Sequence, residues 1–337
     1  MLSDQSRRRL LFGVGSVLFG GSVAVFGDET IITNLGSAGG SDQLGADDLT
    51  AGTIPASADT LAVVQVDRAE PPAVVSAVAG SIAESAPFAA VPTQLRGLVS
   101  SDSSATVDPS RIGKLAFVGS ADGRGAVVVW ADWTEDHFAD LVSSSDSNDR
   151  RTQTRHGRPM YTAGDTAGGV LAETTFVVGH PSVVVDTIGV WHGDEEPVGG
   201  STLSTYDLTR RQSPFRFTLG DVQLPCDCAT AVRQPPVYDH VTRRYGSLSK
   251  AGVLRVSLAL DSKNAEDTAA LATALRRDLG LAEGVSARIE LPNEAVSGLS
   301  VHEGSDAVMI RFSPADTPHP STLTELFGGL EHLVSGQ

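Results

Sequence analysis

The stretch "LPCDCATAV" carries both cysteines of the chain, Cys226 and Cys228. Outside a membrane such a pair can oxidise. A C-x-C bridge closes a very small ring. An extended backbone sets its α-carbons near the upper limit of about 6.8 Å, so the bond would be strained and easily reduced. Three readings stand: a disulfide, two free thiols, or a metal site completed by His240, twelve residues beyond Cys228. Two sulfurs and one imidazole fall short of the four ligands that structural zinc takes. The disulfide is the leading expectation, and no resident metal or cofactor is expected.

The other chemistry-bearing residues are scattered. His156, His180, His192 and His319 each stand beside Gly or Pro and read as surface or helix-end histidines. Asp194-Glu195-Glu196 could hold a cation, but the glycine-spaced oxygen ligands of a calcium loop are missing, so it reads as a solvated acidic loop. Trp130, Trp133 and Trp191 sit on apolar faces and read as core. No G-x-S-x-G elbow, paired-histidine zinc helix, dinucleotide loop, phosphate loop or N-x-S/T triplet occurs. No catalytic residue is assigned, and an enzymatic role is left open but not favoured.

The elements that must position these residues follow from local patterns. "LAVVQVD" (Leu61–Asp67) predicts a strand, and "PPAVVSAVAGSIAES" a helix opened by Pro71 or Pro72. "KLAFVGS" and "AVVVWAD" flank "ADGRG", a hairpin signal in which Asp122-Gly123 can supply positive φ angles. Thr134 is placed to cap "EDHFADLV". After the loop "SSSDSND" come three short strands, "PMYTAG", "GGVLAE" and "TFVVG". A helix from Pro181 then stops at Gly193.

In the second half "PFRFTLG" and "VLRVSLALD" predict strands. Asn264 caps a helix with Leu271, Leu275 and Leu279 on its buried stripe and Gly280 at its end. "ARIELP" and "AVMIRFS" predict two more strands. "TLTELFGGLEHLV" predicts the last helix, with Thr322 and Glu325 at capping-box spacing. Both halves alternate strands with helices. The expected fold is therefore α+β, with antiparallel sheets, helices packed on one face and two halves that could be a duplication. The chain divides into residues 1–27, a linker at 28–57 rich in Gly, Ser, Asp and Thr, and α+β domains at 58–198 and 199–337.

Residues 1–27 have the polarity of an export leader. Arg7, Arg8 and Arg9 precede an uncharged run from Leu10 to Gly27. "SRRRLLFG" resembles the twin-arginine motif, with leucine at position 11 as its departure and the register open by one residue. The run is just long enough to cross a bilayer core, yet its glycines weaken it as a permanent span. The expected partner is export machinery, with cleavage before Asp28 or retention as an N-terminal membrane tether both open. The expected location is the cell surface or the medium.

Charge describes the solvent. The formal net charge is −16, and it becomes −18 when three arginines and Asp4 leave with residues 1–27. Lys114, Lys250 and Lys263 are the only lysines among 25 basic residues. Acidic excess with lysine nearly absent suits concentrated salt, where the Debye length falls to about 3 Å at 1 M and carboxylates keep a hydrated surface. Nucleic acid is excluded as an expected partner, because phosphate binding needs a clustered basic surface. The nearest approach, Arg150-Arg151 with Arg155 and Arg158, reads as a solvated loop.

The segments "PASADTLAVVQVD" and "TFVVGHPSVVVDTIGVWHGDEEPVGG" resemble parts of twin-arginine-exported haloarchaeal proteins that have no assigned activity. Pro55, Asp59 and Thr60 match first, then Val177, Val178, Gly179, Val184, Asp186, Gly193 and Asp194. The resemblance covers about a tenth of the chain by these residues and rests on turn and packing positions. It implies a family without an assigned activity and adds no mechanism.

Overall fold

A computed structural model describes residues 54–66, 72–99, 109–143, 151–209, 213–220, 236–260, 265–282, 287–288, 291, 293–314 and 320–335. Arg7, Arg8, Arg9, Asn264, His319, Cys226 and Cys228 lie outside these residues.

Among the described residues seven strands come from the first half: β1 (Ala58–Gln65), β2 (Ile112–Ser120), β3 (Gly125–Ala131), β4 (Arg151–Arg155), β5 (Arg158–Ala163), β6 (Thr166–Ala172) and β7 (Thr175–Gly179). Five come from the second: β8 (Phe215–Leu219), β9 (Val241–Leu248), β10 (Leu254–Leu260), β11 (Leu299–Glu303) and β12 (Ala307–Phe312). They form one antiparallel sheet in the order β11-β12-β10-β9-β8-β1-β2-β3-β7-β6-β5-β4. The order β8-β9-β10-β12-β11 repeats β1-β2-β3-β7-β6, outward from the antiparallel β1·β8 pair. The two halves are thus related by a local two-fold through that pair, with β5 and β4 added on one side. The chain changes sides of the sheet between residues 180 and 214, and one sheet and one core cluster run through both halves.

The central strands carry apolar residues at consecutive positions, so they bury both faces. Ala62 and Val64 of β1 face one core while Leu61 and Val63 face the other. The first face is covered by α1 (Pro72–Ala83), α2 (Thr93–Val99), α3 (Glu135–Ser143), α6 (Ala265–Asp278) and, after the short α7 (Asn293–Ser297), α8 (Pro320–Ser335). The second face is covered by α4 (Pro181–His192) over β3, β6 and β7 and by α5 (Gly200–Asp207) over β1, β8 and β9. The α+β architecture is the expected one. Its helices occupy both faces of the central strands, because "LAVVQV" and "AVVVWA" offer no polar side to leave in water.

Strand β6 shows how tightly the layers meet. A Cβ at Gly168 would overlap Val142 Cγ2 of α3, and one at Gly169 would come within 2.6 Å of Ile188 Cδ1 of α4. Successive residues of a strand point to opposite faces, so the two glycines let two helices approach one strand from either side.

Several local expectations differ from the structure. Only Gly123 of the β2–β3 turn has positive φ, at 78°. Residues 287, 288 and 291 of "ARIELP" lie in no strand, and the neighbour of β12 is Leu299–Glu303 instead. Helix α8 starts at Pro320, two residues before the expected cap Thr322. The basic cluster read as a loop is a strand edge: Arg151 and Arg155 bound β4, and Arg158 opens β5. "RTQTR" has no apolar residue, so it gives no period-two signal, yet its partner strand supplies the ladder.

Candidate functional site

His156 and His192, read from the sequence as surface or helix-end histidines, and Asp194, read as part of a solvated acidic loop, come together at the β4 end of the sheet. The turn between β4 and β5 has two central residues, His156 at φ 50° and Gly157 at φ 75°, the signs of a type I′ hairpin. This turn sets the His156 ring on that of His192, with centroids 4.3 Å apart and planes 20° from parallel. His192 stands in the last turn of α4. Gly193, at φ 82° in the left-handed region, stops the helix, and Asp194 N–H then donates back to Gly189 O at 2.8 Å. That reversal carries the Asp194 carboxylate to 3.0 Å from His156 Nε2. Glu195 lies over Gly189, where a Cβ would overlap its side chain.

Burial, then the charges of His156 and Arg158, hold the His192 pKa below the usual 6.5, against the opposing pull of Asp194. The arrangement clasps a hairpin against a helix end. Around it the register aligns Arg155 with Arg158 and Gln153 with Met160. Met160 packs into the second core, so this row of arginines lies on the α4 side of the hairpin.

The other residues weighed in the sequence have separate structural tasks. His180 caps α4: its Nδ1 accepts from Ser182 N–H at 3.3 Å and meets Ser182 Oγ at 2.9 Å. Nδ1 of His240 stands 3.8 Å from Asp267 Oδ2. Trp133 is buried against Phe176, while Trp130 and Trp191 are half-buried against the second core, and the Lys114 ammonium lies 4.0 Å from the Trp130 ring centre. Thr134 caps α3 by accepting from His137 N–H at 3.2 Å. Among the described residues no three His, Cys, Asp or Glu side chains gather as a metal site.

Two ionic clusters escape sequence reasoning. Asp278, fully buried at the end of α6, accepts from Tyr238 Oη at 3.0 Å, Arg277 Nε at 2.9 Å and Arg288 Nη1 at 3.4 Å. Burial and the Asp278 charge push the Tyr238 phenol above the ordinary tyrosine range. An aspartate in the last turn of a helix opposes the helix dipole, which is the one local signal that Asp278 has partners elsewhere. In the second cluster Arg243 of β9 reaches past β8 to Asp59 of β1: its Nη1 donates to Asp59 Oδ1 at 3.1 Å and to Asp59 O at 3.0 Å, and its Nε donates to Ser201 Oγ. A Cβ on Gly220 would occupy the place of the Asp59 carboxylate, so glycine is required there. This contact ties the two halves.

No family model matches the chain, and no curated protein does. Among solved structures it is similar to crystal form I of TP0453, with 12% identity, a TM-score of 0.46, and coverage of 84% of this chain and 96% of that one. Crystal form III of TP0453 is similar at 12% identity and the same score, covering 85% and 99%. At that identity and score the likeness transfers neither chemistry nor partner.

Proposed function

We propose that this chain is exported to a saline exterior and works there as a non-catalytic binding or structural protein of a haloarchaeal cell envelope. The observation that carries this reading is the arginine-headed apolar run at residues 7–27 followed by a chain of net charge −18 with three lysines. The described ion clusters support the non-catalytic part. Asp278 is occupied by three donors and Asp59 by Arg243, both in packing roles. Among the described residues no helix is long and apolar enough to cross a membrane, so a tether, in this reading, uses Leu10–Gly27.

The test is purification from high salt with metal analysis, a visible spectrum and an unfolding series in KCl. The expected protein is colourless, holds no stoichiometric metal and loses stability as KCl is withdrawn. A stoichiometric metal or a chromophore favours an exported metalloprotein or enzyme instead. A second reading, a thiol redox protein, draws on Cys226 and Cys228, and reversible thiol titration at a potential far above structural disulfides would establish it.

A further inference from the structure

The turn that joins β4 to β5 is built around an unusual residue. Among the described residues His156 is the one non-glycine with a positive φ, at 50°. Asparagine, aspartate or glycine is the ordinary occupant of this place in a I′ turn, and a histidine in the left-handed region is uncommon. What His156 supplies instead is a ring. It lies flat on His192 with 4.3 Å between centroids, and its Nε2 stands 3.0 Å from the Asp194 carboxylate. The hairpin tip thus meets the end of α4 through side chains that can change their charge.

The neighbouring strands are held differently. Met160 of β5 packs into the second core and Tyr161 into the first, so β5 is anchored from residue 160 onward. Strand β4, "RTQTR", brings no apolar side chain to either core and is exposed over residues 151–154. The tip can therefore part from α4 without opening the layers beneath it.

The charged groups that face His192 come from each element packed against it: His156 from the turn, Arg158 from β5 and Asp194 from the chain beyond α4. Arg155 stands opposite Arg158 in the register, and Glu195 lies against Gly189. A proton on His156 is paired by Asp194 at Nε2. A further proton, on His192, sets two like charges face to face with Arg158 beside them. Rings in contact leave no space for ions between them, so concentrated salt weakens this repulsion less than that between separated charges. Burial, then the charges of His156 and Arg158, disfavour the His192 proton while the stack is closed. A freed His192 returns toward its ordinary 6.5, so protons favour the open tip as pH falls.

We propose that the stacked pair is a pH-operated latch: at neutral pH it fastens the β4–β5 tip to the end of α4, and protonation from solvent parts the rings and frees the tip while the rest of the sheet stays closed. This goes beyond the functional reading above and does not depend on it.

The experiment follows amide hydrogen exchange of the full chain in high KCl between about pH 7.5 and about pH 5, with each segment referred to an unstructured peptide at the same pH. The expected result is that protection of residues 151–158 falls by about threefold or more over that range while β3, β6 and β7 keep theirs. His156→Asn keeps a residue suited to positive φ and removes the ring, and His192→Gln keeps a polar side chain that takes no proton. In both variants protection of residues 151–158 should no longer change with pH. Either variant carries the test alone, and an unfolding midpoint near that of the wild type at neutral pH shows that it is folded.

Wild-type protection at residues 151–158 that is the same across the range overturns the latch. So does a pH-dependent loss that both variants retain, since acid then acts through other groups. A loss shared equally by β6 and β7 also overturns it, because the whole fold is then opening.

Discussion

Replacing Asp278 by alanine removes an acceptor that Tyr238, Arg277 and Arg288 share at 3.0, 2.9 and 3.4 Å. Breaking a buried ion pair by deleting one partner costs about 3–5 kcal/mol. Arg277 is 44% exposed and regains water at little cost, so its share is small. The Tyr238 hydroxyl is fully enclosed, and losing its acceptor costs about 1–3 kcal/mol. With the 17% exposed Arg288 added, the expected total is about 3 kcal/mol, or roughly 4–5 °C in Tm for a chain of this size. Urea and thermal unfolding in high salt read it. A cycle with Tyr238→Phe supplies the sharper test, because that substitution should cost about 1 kcal/mol alone and close to nothing in the Asp278→Ala background. A loss below about 1 kcal/mol for Asp278→Ala, or strict additivity in the cycle, would refute the reasoning.

Gly168→Val should destabilise by about 1–3 kcal/mol or more in the same assay, because its first carbon already overlaps Val142 and lies 2.8 Å from Phe138 Cζ. Asp59→Asn should cost about 1–3 kcal/mol by weakening the Arg243 contact, and slow hydrogen exchange at β1 and β9 should be lost together. The His192 pKa is depressed, so the unfolded chain binds that proton more readily than the folded one. The His192 contribution is therefore complete above the ordinary 6.5 and is lost as pH falls from there through the lower folded value. His192→Gln should flatten that limb of the stability profile, and an unchanged profile would remove His192 from the account.

Elements were legible in the sequence where the signal is local. Pro181 and Gly193 bracket α4 as read, since a proline start and a left-handed glycine stop need no distant partner. The β2–β3 hairpin and the stripe of Leu271, Leu275 and Leu279 are of the same kind. Strand β9 was hidden because its inward row contains Arg244 and Gly246 where alternation predicts apolar residues. Gly246 is there for a neighbour, as a Cβ would lie 2.8 Å from the Phe217 ring. Helix α5 was hidden by "GGST", which reads as linker, although Tyr206 packs under Arg216 at 4.2 Å. Of the candidate site, His156, His192 and Asp194 were each visible, but the stack depends on a hairpin whose first strand is wholly polar. No spacing rule joins residues 156 and 192; only the sheet does.

The central claim is that the fold travels outside the cell behind its arginine-headed leader. Fractionating a haloarchaeal host that expresses the full chain, beside a variant with Arg7, Arg8 and Arg9 all changed to lysine, tests it most directly. The account predicts wild-type protein at the surface or in the medium and the variant held in the cytosol. Wild-type protein remaining in the cytosol, or a variant exported equally well, would contradict it.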